Sequence, residues 1–436
     1  MKKTLRALGK VCLVPYYGSL ASSLVVIALF LTGMVRFAGF PFSDFSLQYF
    51  VLSAALPMIS GSLATLNSRN RLPIINLNES NELCYSKNDL TLIFGLLGFL
   101  GCIFGLINIY LQGRLSGDLV VLRSNVFEGV ESSGFSYLSN ALVPFGLFCI
   151  AICVVYYEEI SPAILLVGLI GSFVGQVCYG FFMAGRYIVI AQLILAFWFA
   201  LHRPMFGRPV IPRGLFLKVA LIILAATVIF GSAFITINRS VKEDQAAFAL
   251  ELSKDMIQVS EPVVELMQQL PPGLAALLAE GCLYWTTSIV TFDVGYCYWH
   301  HDPSVLGAMA PFLRRRLSGV GLALSEADEV KEWINICAGR DIYSGTWATV
   351  PFDMLKTFGR IGGLSVLSVL GYVSSMIYVR FKETRSIGLL IGSGIIWLFF
   401  VFWYQRSIFL EPIFEFSIYW LIVFRFMTNL RSRRSQ

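Results

Sequence analysis

Between Gly281 and Arg316 the chain crowds Tyr284, Trp285, Phe292, Tyr296, Tyr298 and Trp299, then His300, His301 and Asp302, then Arg314, Arg315 and Arg316. Aromatic faces pack against the CH faces of sugar rings, and guanidinium groups hold phosphate oxygens in pairs. Both residue types have a second use here. Aromatics gather at a bilayer interface, and clustered arginines meet anionic lipid head groups. Two of the three histidines adjoin in this stretch, and imidazole titrates near neutral pH. Elsewhere, Glu411 and Glu415 lie four apart on one helix face, where burial demands partners such as Arg186 or Arg406; a structural ion pair satisfies that pattern as well as chemistry does. Asp353, Lys356 and Arg360 have spacings that place them on one helical face. Gly345, Gly359, Gly362 and Gly363 permit close backbone approach, either to a substrate or between helices.

The elements that must position these groups are membrane helices. The chain is 56% hydrophobic and 14% charged, with a mean hydropathy of +0.72, far from the roughly 25% charge of a soluble domain. A helix needs about 20 apolar residues to cross the hydrocarbon core. Ten stretches qualify: 14–35, 45–66, 90–112, 137–157, 161–182, 186–202, 215–237, 360–379, 387–404 and 408–427. Long apolar runs without ten-residue alternation argue for helices over a barrel. The expected fold is an all-α polytopic membrane protein of about 10 transmembrane helices. Residues 1–237 carry the first seven, 238–353 form a large, mostly helical outer loop, and 354–436 carry the last three and a basic tail.

Orientation follows from the short connections. Lys2, Lys3, Arg6, Lys10, Arg69, Arg71, Lys87, Arg203, Arg208, Arg213 and Lys218 fall on one side with Arg380, Lys382, Arg385 and the basic tail. Only Arg36, Arg114, Arg123, Arg186 and Arg406 occupy the short connections opposite. Both termini are therefore expected in the cytoplasm and the 238–353 loop outside. The net charge of +6 reflects this bias and carries no nucleic-acid footprint. The basic N-terminus precedes a run too long for a signal peptide, with no small-residue cleavage site, so the first span is expected to be retained.

Within the loop, Phe248, Leu252, Met256, Val259, Val263, Leu266 and Leu270 form a helical stripe that Pro262 kinks or restarts and Pro271 with Pro272 ends. A second helix is predicted from Ser325 to Ala338, stopped by Gly339. Cys282, Cys297 and Cys337 allow one disulfide at most or three buried thiols. No metal-ligand spacing, Asp-x-Asp pair, nucleotide loop or dinucleotide fingerprint appears, so no metal or cofactor is expected. Mid-membrane charge is nearly absent, which disfavours an ion-coupled transporter.

Two segments carry a resemblance. Met183 to Trp198 (MAGRYIVIAQLILAFW) sets a Gly-Arg pair at the outer end of a span, and Ile342 to Leu364 (IYSGTWATVPFDMLKTFGRIGGL) leads from the loop into the eighth span. Their order across a long outer loop resembles the Wzy-type O-antigen and capsule repeat-unit polymerases. That resemblance implies a GT-C-like glycosyltransferase of the bacterial inner membrane, acting on its outer face. Its substrate would be undecaprenyl-diphosphate-linked oligosaccharide, with a flippase and a chain-length regulator as possible partners.

On this reading, fixed cations stabilise the diphosphate leaving group. Arg186 matches the family position, and Arg314, Arg315, Arg316, Arg340, Arg360 and Arg406 form the remaining pool. A base must take the acceptor hydroxyl's proton; His301, Asp302, His300, Asp353 and Glu415 are the candidates, with Asp293 also of the right type. Tyr284, Trp285, Tyr298, Trp299 and Trp347 are the candidate sugar platforms. O-antigen ligases share a loop histidine, but the glycine-rich sequence expected after it is not evident here. A lipid-linked oligosaccharide transporter and a non-catalytic assembly partner are the readings of another class.

Overall fold

A computed structural model describes residues 11–71, 86–112, 134–176, 187–210, 256–299, 326–339, 349–404 and 412–434. In chain order the elements are α1 (Gly18–Leu31), β1 (Val35–Phe37), α2 (Asp44–Arg71), α3 (Lys87–Leu111), α4 (Gly134–Leu142), α5 (Pro144–Val155), α6 (Pro162–Leu169) and α7 (Tyr187–His202). There follow β2 (Ile257–Val259), α8 (Glu261–Gln269), α9 (Pro272–Tyr298), α10 (Glu326–Ala338), α11 (Val350–Thr384), α12 (Ile387–Val401) and α13 (Pro412–Arg434). Proline opens α5, α6, α9 and α13, where its missing N–H leaves no bond unmade. Ser86 caps α3 by accepting from the Asp89 amide at 3.1 Å.

The protein is helical and membrane-like in character. Asp44–Ser68, Lys87–Leu111, Gly134–Val155, Val189–Phe206 and Val350–Thr384 are long and apolar enough to cross a bilayer, and α9 is a sixth if its two halves, bent by 42°, count as one. Pro15–Leu31, Pro162–Phe173 and Ile387–Val401 are shorter apolar helices at expected spans. The expected span at 215–237 lies outside the described residues.

The chain divides into two compact units. The first comprises Met1–Arg71, Ser240–Met376 and Ile396–Leu410. Here β1, in the connection between α1 and α2, pairs antiparallel with β2, with Val35 opposite Val259 and Phe37 opposite Ile257. Arg36 Nε donates to Gln258 Oε1 across the ribbon at 2.9 Å. This corrects the helical stripe expected through Met256 and Val259. Those residues are recruited by the strand edge of β1, which satisfies their backbone more fully than an isolated amphipathic turn would. Helix starts afresh at α8, with Pro262 in its first turn. The α10 helix ends at Ala338 before Gly339, as its sequence predicts. Beneath the ribbon, Val35, Ile257, Cys282, Leu283, Val290, Val294 and Cys337 form one buried cluster.

The second unit comprises Leu72–Arg239, Ile377–Ile395 and Glu411–Gln436. In it α3 packs without a gap on α5 and α6: a Cβ at Gly98 would meet the Gly146 amide at 2.5 Å, and one at Gly95 the Gly168 Cα at 3.0 Å. Such small-residue contacts let membrane helices approach where no hydrophobic drive exists between them. Trp420 of α13 donates to the Ala141 carbonyl at 2.7 Å. An ionic knot fixes the short connections. Arg203 pairs with Glu158, Arg208 with both Glu158 and Glu159, and Lys87 with Glu159. Arg203 also donates to the Val154 and Pro209 carbonyls at 2.7 and 2.9 Å.

Candidate functional site

The polar chemistry of the first unit gathers where the C-terminal half of α9 meets the start of α11. Although α11 runs from Val350 to Thr384, Gly359 breaks it with φ 72° and ψ 179°. Nine residues of unbroken helix would separate positions 354 and 363 by about 13 Å. Instead, a Cβ at Gly363 would lie 3.1 Å from the Met354 carbonyl oxygen. The segment 350–358 is therefore folded back against the helix that follows it, as a short helical hairpin. Val350, Phe352, Asp353 and Met354 are buried in it, and the Val350 amide bonds the Trp403 carbonyl at 3.2 Å.

Asp353 is only 1% exposed. Its Oδ1 lies 3.5 Å from Lys356 Nζ, and that ammonium also lies over the rings of Phe352 and Trp299, 5.1 and 5.7 Å from their centroids. Trp299 and Trp333 flank Phe352, and a Cβ at Gly295 would collide with the Phe352 ring at 2.3 Å. A buried carboxylate is tolerable because a cation accompanies it, and the aromatic faces favour that cation in turn.

Arg360 begins the second arm of the hairpin. Its guanidinium donates to the Tyr296 carbonyl at 3.2 Å and stacks 4.3 Å from the Tyr296 ring centroid. It is exposed, and among the described residues no carboxylate pairs with it. This corrects the expected single face of Asp353, Lys356 and Arg360: the break at Gly359 keeps the first two as neighbours and sends Arg360 to another helix. Tyr296 also packs on Tyr49, at 5.4 Å between centroids, and Tyr49 stacks on Phe292 at 6.0 Å.

Asp293 is buried and already engaged. Its Oδ1 accepts from the Ser43 amide at 2.9 Å and, in a short bond, from the Ser46 hydroxyl. It thus caps the N-terminus of α2 from a neighbouring helix, where a negative charge is favoured. Glu415 belongs to the second unit, is 2% exposed and accepts from Tyr419 at 2.5 Å.

No family model, curated protein or solved structure matches the chain. The site therefore stands on its own residues. Of the aromatic candidates, Trp285 is half-buried on α9 with its ring 6.3 Å from that of Tyr404, Tyr298 is exposed, and Trp299 is half-buried beside Phe352. Tyr284 lies on α9, with its side chain outside the description. His300, His301, Asp302, Arg186, Arg314, Arg315, Arg316, Arg340, Arg406, Trp347 and Glu411 lie outside the described residues. Among the described residues no group of three His, Cys, Asp or Glu is placed to hold a metal ion. Cys282, Cys297 and Cys337 are not in disulfides, and burial pushes Cys337 up to about 12.

Sequence reasoning missed α9 as one buried helix and missed Tyr49. A signal for α9 was present: Thr286, Thr287 and Thr291 interrupt the apolar run, but each hydroxyl bonds a carbonyl one turn back in its own helix. Threonines that satisfy themselves this way do not count against burial. Nothing in the sequence distinguished Tyr49 from any other aromatic in a span.

Proposed function

We propose that this chain is a membrane glycosyltransferase that joins lipid-diphosphate-linked oligosaccharide repeat units into a surface polysaccharide, in the manner of the Wzy-type polymerases. It would act on the outer face of a bacterial inner membrane, with both termini in the cytoplasm and GT-C-like architecture. The observation that carries the proposal is Arg360. A guanidinium held by a carbonyl and an aromatic face, with no carboxylate among the described residues to neutralise it, is oriented for an external anion. A departing diphosphate is such an anion, and one preorganised contact to developing charge is worth about 3–4 kcal/mol of barrier. Asp353, with the Lys356 ammonium 3.5 Å from its Oδ1, is the candidate base nearest Arg360 along the chain among the described residues. Tyr298, exposed, and Trp299, half-buried, are the candidate flat faces for sugar rings at the same end of α9. Arg186, His300, His301 and Asp302 keep the roles that the family resemblance gives them.

In cells lacking the gene, glycan is expected as single repeat units with no ladder of longer chains. Complementation by Arg360→Ala or Arg186→Ala should leave the ladder absent while the protein accumulates normally. Loss of all surface-attached glycan with build-up of long lipid-linked polymer would assign the chain as a ligase instead. A normal ladder in both variants would refute the proposed diphosphate contacts.

A further inference from the structure

We propose that the Tyr49 hydroxyl is a second anchor for the lipid diphosphate, donating a hydrogen bond to the anion that Arg360 holds; this rests on the donor reading above. Tyr49 lies in the second turn of α2 and is 5% exposed. Its hydroxyl is buried with no hydrogen-bond partner among the described residues. A buried hydroxyl left unbonded is costly to the folded state, and native structures rarely retain one without a use.

Its surroundings point to the same anion. The Tyr49 ring and the Arg360 guanidinium both pack on Tyr296, at 5.4 and 4.3 Å from its centroid. The hydroxyl reaches the next turn of the helix that Arg360 opens: a Cβ at Gly363 would stand 2.8 Å from the Tyr49 oxygen. Arg360 and Gly363 are three residues apart and so face the same way. The absent side chain at Gly363 is what lets the hydroxyl occupy that turn. Tyr49 therefore brings a neutral donor beside a fixed cation, a pairing that suits an oxyanion bearing several acceptor oxygens. Within the described residues, the hydroxyl has no other group to serve.

The test uses the full-length protein purified in detergent, with farnesyl diphosphate, inorganic pyrophosphate and phosphatidylglycerol micelles as separate probes. Calorimetry gives affinity, and thermal unfolding gives stability with and without probe. For farnesyl diphosphate, Tyr49→Phe should bind about tenfold more weakly than the parent protein, the usual scale for one hydrogen bond to a charged group. Its ligand-free unfolding midpoint should equal or exceed the parent's, because an unbonded buried hydroxyl has been removed. Gly363→Ala should weaken binding as well, and Arg360→Ala should weaken it more. If Arg360→Ala loses affinity while Tyr49→Phe binds like the parent, the Tyr49 contact is refuted and the diphosphate reading stands. If the parent binds only phosphatidylglycerol, or no probe, both are refuted. If inorganic pyrophosphate binds as tightly as farnesyl diphosphate, the lipid-linked source is overturned.

Discussion

Replacing Gly359 by alanine tests whether the helical hairpin at the start of α11 is the scaffold of the site. At φ 72° and ψ 179°, position 359 occupies a region open essentially to glycine alone, and a side chain there costs about 1–3 kcal/mol. The chain could escape this strain by straightening into one helix, but 350–358 would then leave its bed. Phe352 is 1% exposed and Met354 fully buried, and exposing either costs about 1.5–3 kcal/mol. Withdrawing both, with buried Asp353 between them, exceeds the local strain. Gly359→Ala should therefore keep the hairpin and lose about 1–3 kcal/mol. At roughly 2–4 °C per kcal/mol for a cooperative unit of this size, the unfolding midpoint of purified protein should fall by roughly 2–12 °C. On the proposed function, polysaccharide ladder formation should fall with it, because Arg360, the proposed diphosphate contact, is the next residue. The control is Gly392→Ala in α12, whose added Cβ meets, among the described residues, only the Leu421 side chain at 3.6 Å; it should leave the midpoint unchanged or raise it slightly. An unchanged midpoint and normal ladder for Gly359→Ala would refute the hairpin.

Arg203→Ala should destabilise the second unit by roughly 2–4 kcal/mol, since it strips Glu158 of a partner and leaves the Val154 and Pro209 carbonyls unbonded; thermal unfolding of the purified variant measures this. Asp293→Ala removes the acceptor for the Ser43 amide and Ser46 hydroxyl at the start of α2, and should cost about 1–2 kcal/mol by the same assay. For the proposed topology, a membrane-impermeant maleimide should label Leu266→Cys, exposed on α8, in intact cells, and Arg380→Cys, exposed near the end of α11, only after lysis. Native Cys337 should stay unlabelled until the protein unfolds, because burial raises its thiol from 9.0 to about 12 and leaves roughly a thousandfold less thiolate.

Much of the helical architecture was legible because one physical rule dominates it. A bilayer demands about 20 apolar residues per crossing, and α2, α3, α7 and the long arm of α11 fall where such runs occur. The short connections were harder. Met256 to Val259 carry a helical period, yet the deciding partner, β1, lies more than two hundred residues away; periodicity cannot register a distant strand edge. Asp353, Lys356 and Arg360 looked like one face because spacing arguments assume an unbroken helix, and only Gly359 signalled otherwise. Tyr49 was invisible for a different reason: its significance lies in lacking a partner, and a partner's absence is a property of three-dimensional surroundings.

The contacts of α9 decide how its aromatic run is to be understood. By length and apolarity α9 could be a crossing helix, and a crossing helix would touch elements from opposite ends of its neighbours. Its first half instead packs with α8 through Ala275 and Ala279, and with the ribbon through Cys282 and Leu283. Its second half packs Val290 and Val294 into the same ribbon cluster, caps α2 through Asp293, and meets Tyr49 in the second turn of that helix through Tyr296. The ribbon occupies the connection between α1 and α2, so every one of these contacts lies at a single end of the first unit. The 42° bend between Leu283 and Trp285 lets the helix lie along that end. The aromatics of α9 are thereby brought level with Arg360 and Asp353, which a loop of independent cap residues could not achieve without fixing each ring separately.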